Sequence, residues 1–290
     1  MNSICLSVAP NLRCQGLTKL ENFILLAPPA LEVLFSLTLA FTNSSIRGRK
    51  RWLLVLDGLA FFLLALADTL AHVIPDVTSS VLAFRIFDLS IAGASFIPIL
   101  AYTLFLALFS HANLVKYIPS RFSRVIMVTL FVLIPFIVAS NEIGSLLGIT
   151  HTKVKLSNLT TVLGIEISSI TMQRIASFFS FLAVTLLTLF QATNFVLSFV
   201  RVVRAFVDAR RAEPGESSPE GKDEIHLFRG LGWVSAGLKL GAIETVVGFA
   251  DINFGVALTR RILRFFGRAM LIIGVIKGCA YLSNCLPCHS

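Results

Sequence analysis

Seven stretches of roughly twenty or more mostly apolar residues recur along this 290-residue chain, separated by polar segments. A bilayer core about 30 Å thick is crossed by about 20 helical residues rising about 1.5 Å each, so every stretch is long enough to span one. Hydrocarbon offers the backbone no hydrogen bonds, which leaves the helix as the conformation for a single spanning segment. Composition agrees. The chain is 56% apolar and 14% charged, against about 25% charged in soluble proteins. That excludes a cytosolic enzyme, a disordered tail and a disulfide-stapled secreted domain. The expected fold is all-α: a polytopic seven-transmembrane-helix bundle forming one domain over residues 1–290.

The expected spans are 22–42, 52–74, 84–109, 125–149, 175–203, 230–250 and 267–286, the last two weaker because they are glycine-rich and carry a lysine each. Whether 230–250 crosses fully is left open by its composition. Seven crossings put the termini on opposite sides. Basic residues mark the cytoplasmic loops. Arg47, Arg49, Lys50 and Arg51, then Lys116, Arg121 and Arg124, then Arg201, Arg204, Arg210, Arg211, Lys222 and Arg229 fall on one side. This places the amino terminus outside, in the plasma membrane or a membrane of the secretory pathway. Arg260, Arg261, Arg264 and Arg268 disagree, because a seventh helix starting at 267 leaves them on the outer face.

Residues 208–229 are polar and rich in helix breakers, and are expected to be a flexible cytoplasmic loop. The polar segment 150–174 carries Asn158-Leu159-Thr160, a glycosylation acceptor on a lumenal face. The net charge of +9 sits in clusters beside apolar runs rather than in a continuous stripe, so the expected partner is a lipid surface and not nucleic acid.

An ionisable group within an apolar run costs several kcal/mol unless it is paired or hydrated, which makes each a candidate functional residue. They are Glu32, Asp57, Asp68, His72, Asp88, Glu142, Lys239, Glu244 and Lys277. Asp57 and Asp68 are eleven residues apart, an offset of roughly 20° on a helix, so they share a stripe facing the bundle interior. Asp68, His72, Asp88 and Glu142 should line a polar cavity in the outer half and bind a small-molecule or lipid ligand. Glu32 and Lys277 are expected to form an ion pair between the first and last helices. Gly237 and Gly241, with Gly274 and Gly278, give small faces on which the sixth and seventh helices should pack. Pro98 and Pro135 should kink the third and fourth helices.

Cys285-Leu286-Pro287-Cys288-His289 fits the pattern of covalent haem attachment, but a cytoplasmic position and no enclosing domain are expected for it, which disfavours a porphyrin. Cys285 and Cys288 are instead candidates for palmitoylation. The five histidines fall in separate segments, so neither a metal site nor enzymatic activity is expected, and no cofactor is implied. A central Lys277 with Arg85-Ile86-Phe87-Asp88 superficially resembles the microbial rhodopsins. With Trp52 and Trp233 as its only tryptophans, the chain lacks that family's aromatic box around retinal. The layout of an outer amino end, short loops and a basic third cytoplasmic loop resembles G-protein-coupled receptors. Their motifs do not follow, since the third span ends in Phe109-Ser110-His111. The expected function is a receptor-like sensor relaying ligand binding to a cytoplasmic signalling protein. The alternative is a proton- or cation-coupled transporter of a small or lipidic solute.

Overall fold

The computed structural model describes residues 5–7, 12–14, 18–41, 49–74, 77, 80–115, 118–155, 161–167, 169–211, 219–250 and 253–279. Its helices are α1 (Lys19–Phe41), α2 (Arg49–Val73), α3 (Val81–Ala94), α4 (Phe96–Asn113), α5 (Ser120–Leu146), α6 (Ile170–Arg211), α7 (Pro219–Val247) and α8 (Phe254–Cys279). Two short antiparallel ribbons accompany them. β1 (Cys5–Ser7) pairs with β2 (Leu12–Cys14), and β3 (Ile149–Lys155) pairs with β4 (Thr161–Ile167), Ile149 opposite Ile167.

Among the described residues, five helical segments are long and apolar enough to cross a membrane: Lys19–Phe41, Arg51–Val73, Val81–Asn113, Arg121–Leu146 and Ile170–Arg204. The third joins α3 to α4 through Ser95. Pro98 has no N–H to offer the carbonyl of Ala94, and its ring crowds that carbonyl, so the helix breaks one turn before the proline. Pro135 lies inside α5, which runs on through it.

Apart from α3 and α4, which follow one another end to end, neighbours in sequence pack side by side; α3 also meets α5, α4 also meets α2 and α6, and α1 meets α8 to close a ring. Polarity is inverted relative to a soluble protein. Phe136 and Phe178 are about 60% exposed on the outer surface, while Glu32 and Asp57 are at most 1% exposed within. Such a surface is stable against hydrocarbon and not against water. The chain is a multi-pass helical membrane protein.

The α7–α8 contact is the most extensive in the bundle. A Cβ on Gly237 would stand 2.7 Å from the Gly267 carbonyl, and one on Gly274 would stand 2.7 Å from the Gly230 carbonyl. Glu244 meets Arg260 one further step along. These contacts recur every seven residues on both helices and run in opposite directions, the register of an antiparallel seam. The expected packing of the last two helices is therefore present with different partners, since Gly241 faces Tyr102 and Gln191 instead.

Several expectations need correction. The last helix starts at Phe254, not 267, so Arg260, Arg261, Arg264 and Arg268 are helical residues and not an outer loop. Their side chains share one polar side of an otherwise apolar helix, which a search for an unbroken apolar run passes over. At the ends of the supposed loop 208–229, α6 continues to Arg211 and α7 begins at Pro219. The segment after α5 holds the β3–β4 ribbon. Asn158, Cys285 and Cys288 lie outside the described residues.

Candidate functional site: a buried ion network

Four arginines of α8, Arg260, Arg261, Arg264 and Arg268, are all buried. Positions 260, 264 and 268 are each four apart, and Arg261 borders the same stripe, so the four form a column that the ring closes over. Each meets an acceptor on a different helix. Arg264 Nη2 donates to Asp57 Oδ1 at 2.6 Å, and its Nε donates to Glu32 Oε2 at 3.2 Å. Arg268 Nε donates to Asp57 Oδ2 at 2.6 Å. One carboxylate of α2 thus takes two arginines, one on each oxygen, while α1 supplies the second acid. Toward the start of α8, Arg260 lies 3.8 Å from Glu244.

Aromatic faces complete the coordination. The guanidinium of Arg264 lies 3.9 Å from the Phe61 ring centroid and that of Arg268 lies 3.2 Å from that of Tyr102. A planar guanidinium bonds in its plane and stacks on its face at once, which an ammonium cannot do. This division of labour explains where the lysines went. Lys239 and Lys277 are both exposed, and Lys277 sits 5.2 Å from the Trp233 ring centroid. The expected Glu32–Lys277 pair is therefore replaced by Glu32–Arg264. With α8 beginning thirteen residues before 267, Lys277 falls in its last turn, and Arg264 takes the level of Glu32.

Arg261 does something different. Its Nη1 donates to the backbone carbonyl of Leu25 at 2.7 Å. Leu25 precedes Pro29 by four residues within α1, so that carbonyl has no N–H to accept from along the helix. An unpaired carbonyl in the bilayer costs several kcal/mol, and the arginine removes that cost.

The four residues expected to share one outer cavity fall into two groups. In the first, His72 Nδ1 donates to the Asp68 carbonyl at 2.8 Å, with the Asp68 carboxylate 3.6 Å away. His151 of β3 lies 2.9 Å from Asp88. A carboxylate can only accept, so His151 Nε2 carries the proton. Phe84 stands edge-on between the two rings, 5.9 Å from each centroid. In the second group, Glu142 accepts from Ser95 at 3.1 Å, and Asn141 donates to Ser95 at 2.9 Å, bracing the α3–α4 break against α5. Of the residues singled out in the sequence, Glu32, Asp57 and Glu244 belong to the ion network. The arginines that bind them were visible only as misplaced positive charge.

The chain matches no protein-family model and no curated protein.

Proposed function

We propose that this protein is a seven-helix membrane sensor, with α7 and α8 also spanning, the amino terminus outside, and the ion network serving as its two-state element. One observation carries the reading: α2 bears Asp68 and His72 near one end and Asp57 inside the network. Ligand engaged at Asp68, His72, Asp88 or Glu142 would shift that end of α2 and strain the paired arginine contacts of Asp57. Replacing a buried ion pair by apolar residues is often neutral or stabilising, so a network of this size is better explained by switching than by stability. The ligand is a small molecule or lipid, and the readout is a cytoplasmic signalling protein meeting the basic loops. The reading is non-enzymatic and requires no cofactor.

A second reading, proton- or cation-coupled transport, draws on Glu32 and Asp57, two carboxylates that share Arg264 inside the membrane. Basal guanine-nucleotide exchange on a co-expressed G protein, compared between wild type and Asp57→Asn, separates the two. Exchange that rises in the variant supports the sensor. No exchange in either, together with pH-driven flux into proteoliposomes that Glu32→Gln abolishes, favours the transporter. A glycosidase-sensitive mobility shift that depends on Asn158 would support the orientation, and label from a palmitate analogue on Cys285 or Cys288 would support a cytoplasmic carboxyl end.

A further inference from the structure

Beside the ion network, α4, α6, α7 and α8 enclose a cavity of about 10 Å³ whose polar lining is Tyr102, Gln191, Glu244, Arg264 and Arg268. All five are buried. Tyr102 is 2% exposed, and its hydroxyl has no hydrogen-bond partner among the described residues. Gly241 approaches the same hydroxyl and the Gln191 amide. A Cβ there would stand 3.2 Å from Tyr102 Oη and 3.3 Å from Gln191 Oε1.

Volume and charge identify the occupant. About 10 Å³ is on the order of one water molecule, and a buried water needs two to four polar partners, which the lining supplies. Arg260, Arg264 and Arg268 are each paired with Glu32, Asp57 or Glu244, so the ion pairs around the cavity carry no net formal charge. An added anion or cation would leave a net charge inside the bilayer, whereas water adds none. We infer that this cavity is a site for a single ordered water held by Tyr102 Oη, Gln191 and Glu244. Lying between Glu244 and Arg268, that water sets the Arg260–Glu244 ion pair and the Asp57 centre around one polar site.

Hydroxyl-radical footprinting of the full chain in nanodiscs, in water labelled with heavy oxygen, tests the site directly. Radicals formed from a bound water mark the side chains beside it. Tyr102 should take up label several-fold above Phe61, an equally buried ring stacked on Arg264. Gly241→Ala should abolish that excess by crowding Tyr102 Oη and Gln191, two of the groups that hold the water. Tyr102 label at the Phe61 level in wild type, or label that persists in Gly241→Ala, would overturn the assignment. Exchanging chloride for gluconate should leave the unfolding midpoint unchanged, and a chloride-dependent midpoint would replace water with an anion.

Discussion

Arg261 fills the hydrogen-bonding position that Pro29 leaves vacant, donating to the Leu25 carbonyl at 2.7 Å across 236 residues of chain. The proline opens α1 locally and an arginine of the last helix closes it. A backbone defect in one helix has thereby become a specific contact between the first and last members of the ring.

This linkage makes a double-mutant prediction. Arg261→Met should destabilise the protein by about 1–3 kcal/mol, the cost of an unsatisfied buried acceptor. In a Pro29→Ala background, the introduced alanine supplies the missing N–H and the same substitution should cost much less. Unfolding in mixed micelles reads both. Equal costs in the two backgrounds would mean that the Leu25 carbonyl does not depend on Arg261.

Asp57 binds two arginines and Glu32 binds one, so their amide variants should differ. Leaving a buried charge without its partner costs about 3–5 kcal/mol. Asp57→Asn should fall in that range, because it weakens the hold on Arg264 and Arg268 together. Glu32→Gln should cost less, since Arg264 keeps Asp57. The order of the two unfolding midpoints is the measurement, and a reversed order would contradict the geometry.

Lys277 is exposed beside Trp233, away from Glu32. Lys277→Gln should change stability by no more than about 0.5 kcal/mol, as expected of a surface position. Exchanging the charges of Glu32 and Lys277 should rescue nothing. Recovery of expression in the exchanged variant would restore the pairing that the structure replaces.

The ribbon is pinned by His151 to Asp88, whereas His72 bonds a carbonyl of its own helix. His151→Ala should therefore cost about 1–3 kcal/mol by removing a buried carboxylate's donor, and His72→Ala less. Hydrogen exchange offers a local reading: the amides of β3 and β4 should lose protection in the first variant and keep it in the second.

Much of the bundle could be read from apolar length alone, because hydrocarbon imposes the same requirement on each of the first five spans. The last helix escaped that reading for a reason specific to closed bundles. Arg260, Arg264 and Arg268 interrupt the apolar run of α8, yet they occupy only its inner side. Their spacing of four was the available signal. A stripe of charge at helical period means an interior ion column, while the same charges without a period mean a loop. The acids Glu32, Asp57 and Glu244 were identifiable as buried by their isolation in apolar runs. Their partners were not, since pairing depends on which helix level each charge reaches, and moving the start of α8 from 267 to 254 exchanged Lys277 for Arg264.

The seam between α7 and α8 gives a contrast within one helix. Gly237→Ala would place a methyl 2.7 Å from the Gly267 carbonyl and 2.9 Å from Leu271 Cγ, so the helices must separate. Overpacking of this kind costs about 1–3 kcal/mol. Gly232 lies five residues earlier on α7, and a Cβ there meets nothing within 4 Å. Gly232→Ala should be neutral or stabilising, because alanine exceeds glycine in helix propensity by about 0.8–1.0 kcal/mol in water-soluble hosts. Because Glu244 and Arg260 belong to the same register, separation at Gly237 should also lengthen their contact. Unfolding in mixed micelles measures the contrast: the midpoint should fall in Gly237→Ala and hold or rise in Gly232→Ala, and equal midpoints would show that the glycine seam does not set the distance between the helices.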